Sequence, residues 1–307
     1  MLTGKDPARN PGPGGPSRIA EGITLQRLAE SMLPEDVRIF NDPYAVRFID
    51  PAKLAWAKDH PVETQAMVES IEKAMPGWSN SIRARVRYFD DVVQNAAGKG
   101  FSQIVILGAG YDTRAYRIPT LQGRVRVFEI DRLATLGKKI EILKTIFGTI
   151  PKHVTFIPLE LAQEGCYDAL QKAGFSPSKK TLFVLEGLVM YLSRLSVENL
   201  MMEIAQGSDV GSAMLFDFIP PSLADGTSDD EGGIAIRTYS LQIGEPLLSG
   251  FSESEIVRFL ARIGYGEVQI ITSSDYAKMY YSGKNAGRKV SGLLSIAYAK
   301  IPGGDSA

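Results

Sequence analysis

QIVILGAGYDTRAYR, residues 103–117, joins four apolar residues, Ile104 to Leu107, to Gly108-Ala109-Gly110 and then to a helix-compatible segment. A short buried strand ending in a glycine turn is how a parallel α/β sheet presents backbone N–H groups to a nucleotide-like ligand. Alone, such a turn is a weak signal that also suits an ordinary strand-to-helix connection. A second apolar run closing on acids, FEID at 128–131, follows about twenty residues later, the spacing at which a carboxylate meets ribose hydroxyls beside the turn. Glu129 and Asp131 share one face of that strand and Ile130 points to the other. A dinucleotide fingerprint places a third glycine at position 113; Thr113 stands there, which counts against NAD or FAD without removing them.

Downstream of the turn, short apolar runs alternate with helical stretches. Strands are predicted at 103–107, 125–130, 153–157, 181–185, 212–218, 267–271 and 293–299, with helices near 113–117, 133–147, 163–173, 196–206 and 253–263. This alternation implies an α/β fold whose mostly parallel sheet is covered on both faces. Only a loop, 272–291, is expected between the last two strands, so they read as a hairpin with one antiparallel strand at the end. Residues 219–250, with Pro220-Pro221 and a polar, glycine-rich middle, read as a loop or insertion near the sheet's carboxyl edge.

Upstream the chain is helical. Residues 1–17 carry four prolines and are expected to form a disordered arm. Ile23, Leu25, Leu28 and Met32 space a helix over 19–32; DPYAVRFID reads as a loop and short helix; 53–75 is helix-compatible up to Pro76-Gly77. A long helix to Asn95 then presents Ile82, Val86, Phe89 and Val93 at helical spacing. The expected organisation is an arm at 1–17, a helical cap at 18–98 and a ligand-binding core at 99–301.

Composition narrows the function classes. With 34 basic and 35 acidic residues the net charge is −1, so no surface for nucleic acid is indicated. The one cysteine, Cys166, excludes a disulfide framework and a Cys-based zinc site, and His60 and His153 are too far apart in sequence to form a metal-ligand pair. No apolar run spans a membrane and no apolar signal core opens the chain, so a soluble, cytoplasmic protein is expected.

Further acids sit at strand ends. Leu159-Glu160-Leu161 follows the third strand, where a carboxylate can accept from an adenine amino group and leucine can cover the ring. Glu186-Gly187 ends the fourth strand, where a half-buried acid requires a positive partner, either a ligand ammonium or an internal arginine. Of Arg83, Arg85 and Arg87 on one helix, Arg83 and Arg87 share a face and Arg85 does not. One of them is placed to grip a ligand carboxylate by a two-pronged bond, leaving the other two to a solvated face.

These pieces together resemble the class I S-adenosylmethionine-dependent methyltransferases, in the leucine carboxyl methyltransferase family and its bacterial O-methyltransferase relatives. The resemblance rests on PEDVRIFNDPYAVRF (34–48), SIRARVRYFDD (81–91), VILGAGYDTRAYR (105–117), VFEID (127–131), LEL (159–161) and VLEGLVMYL (184–192), in that order. It implies a Rossmann-like fold, a seven-stranded mostly parallel sheet with an antiparallel last strand, and S-adenosyl-L-methionine as the cofactor, released as S-adenosyl-L-homocysteine. It also implies Arg83 at the methionine carboxylate, Gly108 and Gly110 in the binding turn, Asp131 at the ribose, Glu160 and Leu161 at the adenine and Glu186 near the methionine end. The family's usual Asp-Leu pair is here Glu160-Leu161.

Methyl transfer is an in-line displacement served by positioning and by exclusion of water. A carboxylate acceptor is ionised at neutral pH and needs no base, whereas a hydroxyl does. The scarcity of histidine favours the first. Tyr191, Tyr111 and Asp217 are the residues near strand ends that can assist, and Ile23, Leu28 and Arg27 are candidates for the acceptor's wall. The expected acceptor is a carboxylate or hydroxyl of a small molecule, a natural product or a protein. An NAD(P)-dependent oxidoreductase and a catalytically silent cofactor-binding protein are the alternatives.

Overall fold

The computed structural model describes residues 15–163 and 165–302. Most of the expected arm lies outside the described residues; its last residue, Ser17, is the N-cap of the first helix and accepts from Ala20 N–H. Four helices precede the sheet: α1 (Arg18–Ser31), α2 (Pro51–Asp59), α3 (Pro61–Ala74) and α4 (Trp78–Ala96). The helix expected over 53–75 is split at Pro61, which opens α3 because proline lacks the N–H an interior position would require. α4 starts directly after Gly77, whose φ is 73° and where a Cβ would lie 2.6 Å from the Val290 carbonyl carbon.

The core alternates as expected: β1 (Gln103–Leu107), α5 (Arg114–Arg117), β2 (Arg126–Asp131), α6 (Leu133–Phe147), β3 (Val154–Pro158), α7 (Tyr167–Lys172), β4 (Thr181–Leu185), α8 (Arg194–Gln206) and β5 (Ala213–Phe218). After β5 come α9 (Pro221–Asp225), α10 (Glu231–Gln242), α11 (Glu253–Arg262), β6 (Glu267–Ile271), α12 (Ser273–Tyr280) and β7 (Ser295–Lys300). Two expectations are corrected here. The 219–250 stretch holds two helices, and the presumed loop before the last strand contains α12, started by a Thr272–Asp275 capping box.

The seven strands form one sheet in the order β3-β2-β1-β4-β5-β7-β6. β1 to β5 pair in parallel, and β7 lies antiparallel between β5 and β6. β1 and β4 are wholly buried, which is why both read as unbroken apolar runs. Ile104 and Ile106 face a core shared with Val86, Phe89 and Val93 of α4; Val105 and Leu107 face the opposite core with Phe128, Phe183 and Ile204. The chain reverses direction across the sheet between β1 and β4, and at such a switch point an open sheet has a crevice outside its strand ends. Among the described residues no helix is long and apolar enough to cross a membrane.

Candidate active site

A cavity of about 310 Å³ occupies that crevice, walled by the carboxyl ends of β1, β2, β3 and β4, roofed by α1 and by residues 244–248. Its floor is the glycine turn. Gly108 and Gly110 have φ of 66° and 45°, a region only glycine enters at low cost, and a Cβ on Gly108 would lie 2.9 Å from Leu188 Cδ1. Asp131 fastens this turn to the end of β2: its Oδ2 accepts from Gly110 N–H and its Oδ1 from Arg132 N–H, both at 2.6 Å. Burial pushes the Asp131 carboxyl above its ordinary value, and the two N–H donors offset part of that. Its neighbour Glu129 is fully buried behind the turn, 2.6 Å from Lys139 Nζ and hydrogen-bonded by the Tyr116 hydroxyl, so it serves packing and not the cavity.

The strand order arranges the remaining candidates. Glu160 and Leu161, after β3, join Asp131 on one side of the glycine turn; Glu186, after β4, stands on the other. Glu186 has internal arginines as partners: Arg85 Nε donates to Oε1 at 3.1 Å and Arg114 to Oε2. Arg85 also donates to Asp217 Oδ2 at 2.8 Å, and Asp217 Oδ1 accepts from Gly187 N–H at 2.6 Å. Asp217 is thus a fully buried strut behind the cavity wall; burial raises its carboxyl, with Arg85 and Gly187 opposing.

Tyr111 and Tyr191 both line the cavity. The Tyr111 ring stacks on Phe48 at 5.2 Å, and its hydroxyl is buried without a hydrogen-bond partner. Burial pushes both phenols well above their ordinary value, which favours the protonated hydroxyl and disfavours a role as base at neutral pH.

Arg83 is the cofactor-binding candidate that does not line the cavity. Its Nε donates to Gln26 and its guanidinium pairs with buried Glu30 at 3.7 Å. The cavity-facing arginine of α4 is Arg85, and the expectation of a solvated face for it is overturned: it is 3% exposed. Arg85 falls at i+3 from Ile82 and i−4 from Phe89, inside the apolar stripe, a phase visible in the sequence. Sequence reasoning also missed Arg114, Asp112 and Glu245, all on the cavity wall. Of the proposed acceptor wall, Ile23 and Arg27 line the cavity and Leu28 does not. Cys166 is buried and does not line the cavity; its N–H donates to Glu203.

Beneath the wall, Arg114 meets Asp90 at 2.7 Å, Asp112 at 2.6 Å and Glu186. For Asp112, burial acts to raise the carboxyl, but Arg114, Lys139 and the Arg114 N–H outweigh it and hold it at about 2, against an ordinary 3.8. A carboxyl lowered on folding contributes stability that is present above its unfolded value and drains as pH falls through the folded one. Unfolding in urea followed from pH 4 to 2, below the ordinary carboxyl range, should therefore show a loss on the order of 2 kcal/mol from Asp112. Asp90, also lowered against burial by Arg117 and Arg114, drains in the same direction. An Asp112→Asn protein should have a visibly flatter acid limb; an identical limb would mean that Asp112 does not carry this dependence.

Comparison with known proteins agrees with this architecture. The profile of the leucine carboxyl methyltransferase family matches residues 20–205, from α1 through α8. A Bacillus subtilis (strain 168) protein provisionally named as an S-adenosyl-L-methionine-dependent methyltransferase is 33% identical over 204 residues, 66% of each chain. A Frankia alni protein of the same provisional name is 31% identical over 206 residues, covering 67% of this chain and 70% of that one. The chain thus aligns with about two thirds of the length of these relatives. In fold alone, the crystal structure of a provisionally named methyltransferase from Thermobifida fusca YX matches with a TM-score of 0.62 at 15% identity, over 98% of this chain and 100% of that one. The glycine turn, the acids on either side of it and the strand order all lie within or agree with this match, and the chain belongs to the leucine carboxyl methyltransferase family, whose members are S-adenosyl-L-methionine-dependent methyltransferases on a Rossmann-like fold.

Proposed function

We propose that this chain transfers a methyl group to an oxygen of its acceptor, and that the acceptor oxygen belongs to a carboxylate. The cavity fits the methyl donor in three respects: a glycine floor that admits close backbone approach, acids on both sides of it, and the unpartnered Tyr111 hydroxyl. Asp131 would hold the ribose hydroxyls, Glu160 and Leu161 the adenine, and Glu186 the methionine ammonium. Arg85 and Arg114, held beside Glu186, take the place proposed for Arg83 at the methionine carboxylate. When bound, the donor supplies an electrophilic methyl carbon on a sulfonium. The chain's own part is to orient the acceptor in line and to keep water away, with the 18–98 helices and the 219–250 segment as cap and lid.

The observation that carries the carboxylate reading is the absence of a competent base near Glu186 among the described residues. No histidine lines the cavity, and Tyr111 and Tyr191 stay protonated. Glu186 and Asp112 are bound by arginine, while Glu245 is occupied by the first backbone N–H groups of α1. Asp131 and Glu160 lie across the turn, at the proposed ribose and adenine ends, and Asp131 is occupied by the Gly110 and Arg132 N–H groups. An acceptor that arrives ionised needs none of them.

The test is to incubate the protein with methyl-labelled donor and either metabolite or protein extract, then treat the product with mild alkali. A methyl ester releases its label as methanol; a methyl ether or methylamine keeps it. Release of most of the label is the expected result, and an alkali-stable product would overturn the carboxylate reading.

A further inference from the structure

α1 lies directly on the glycine turn: a Cβ added to Gly110 would stand 3.3 Å from Ala20 Cβ, and Ile19, Ala20 and Ile23 face the cavity. A donor molecule seated on that turn is therefore covered by the first turns of this helix. The two halves of α1 are held in different ways. The C-terminal half is bound to the body by buried polar contacts. Arg27 pairs with Asp42 at 3.0 Å and donates to the Tyr111 carbonyl at 2.6 Å. Fully buried Glu30 takes Arg288 at 2.9 Å and Ile39 N–H at 2.8 Å, and Ser31 Oγ accepts from Asp42 N–H at 2.8 Å.

Among the described residues the N-terminal half has one multidentate attachment, the carboxylate of Glu245. Arg18 N–H donates to Oε1 at 2.6 Å, with Ile19 N–H at 3.4 Å, and Ser17 Oγ donates to Oε2 at 2.7 Å. The carboxylate satisfies helix-end donors that have no intrahelical partner and sits at the positive end of the helix dipole. A further polar tie among the described residues, Lys53 to Glu21, is partly exposed. Between the halves stands Gly22, where a Cβ would meet nothing within 4 Å, so packing does not require glycine there. Glycine is among the weakest helix formers, and Thr24, whose hydroxyl donates back to the Ala20 carbonyl at 2.7 Å, loosens the same turn.

We infer that residues 18–22 form a flap hinged at Gly22 over the donor's site, and that Glu245 is the positioning residue that latches it. The latch comes from the stretch after α10 that itself lines the cavity, so closing joins the two parts of the roof. This inference rests on the assignment of the cavity to the methyl donor. Its consequence is kinetic: the donor and its demethylated product exchange only when the latch opens.

Stopped-flow association and dissociation of S-adenosylhomocysteine should separate the parts. In Glu245→Ala both rates should rise about tenfold, the effect of losing a helix-cap contact, with Kd changed by less than about threefold. Glu245→Gln, which keeps an accepting oxygen, should fall between. Gly22→Ala, which has room for its methyl group, should slow both rates by about threefold. Unchanged rates in Glu245→Ala overturn the latch, and so does a weaker Kd arising from dissociation alone, which would make Glu245 a direct ligand contact. Amide hydrogen exchange on the ligand-free protein gives an independent reading. Glu245→Ala should speed exchange at 18–22 and leave 25–31 unchanged, and equal protection in both proteins overturns the latch. Failure of the wild type to bind S-adenosylhomocysteine would instead sink the donor assignment, with hydrogen exchange still deciding the latch.

Discussion

Arg114→Met is expected to lower the free energy of unfolding by about 3–5 kcal/mol, the cost of removing one partner from a buried ion pair. Arg114 is 2% exposed and is the shared counterion of Asp90, Asp112 and Glu186, three carboxylates from three different segments. Its Nε, both terminal nitrogens and its backbone N–H all have partners, the last being Asp112 Oδ1 at 2.6 Å. Asp90 retains Arg117, but Asp112 loses its main cation. Lysine should recover little, because a single ammonium cannot reproduce a planar fork of five donors. The pH dependence gives the sign a second check. Wild type loses stability as pH falls below 4, whereas the variant should regain some between pH 7 and 5, as the stranded carboxyls take up protons. Equal stability of Arg114→Met and wild type in urea at pH 7 would show that the cluster is worth no more than an apolar filling.

Asp131→Ala should weaken S-adenosylhomocysteine binding by at least tenfold, equivalent to about 1.4 kcal/mol. Two effects act together. The carboxylate proposed to receive the ribose hydroxyls is removed, and Gly110 N–H loses the acceptor that fixes the turn to β2. Asp131→Asn separates them: its amide oxygen can still take Gly110 N–H while the charge is gone, so an intermediate affinity is expected. Calorimetric titration of the three proteins decides the matter, and unchanged affinity in Asp131→Ala would remove Asp131 from the ribose.

The centre of the parallel sheet was legible because β1 and β4 are buried on both faces and so read as plain apolar runs ending in glycine or acid, as at Leu107-Gly108 and Leu185-Glu186. Helices α10 and α12 were not, since each is short or polar, although Thr272 and Asp275 carry a start signal at capping-box spacing. The residues around the turn were legible as strand-end acids. The resemblance pointed to Arg83, whereas the arginine of α4 that lines the cavity is Arg85, and the apolar stripe through Ile82, Val86 and Phe89 already contained position 85. Arg114 and Glu245 had no local signal at all. Apart from Asp112, two residues before Arg114, their carboxylate and helix-end partners lie 24 to 72 and 226 to 228 positions away, and only the tertiary fold brings them together.

The antiparallel strand has a consequence for how the chain is made. β7 follows every other described strand in sequence, yet it sits inside the sheet, pairing from Ala213↔Lys300 to Phe218↔Ser295 on one side and with β6 on the other. During synthesis β1 to β5 can assemble as they emerge, but the edge of β5 stays open until residues 295–300 leave the ribosome. That edge carries Leu215 and Phe216, both fully buried in the finished protein. An open, apolar strand edge is a template for pairing with other chains. A chain that has formed β5 but not yet β7 therefore presents an apolar pairing edge that the finished sheet covers.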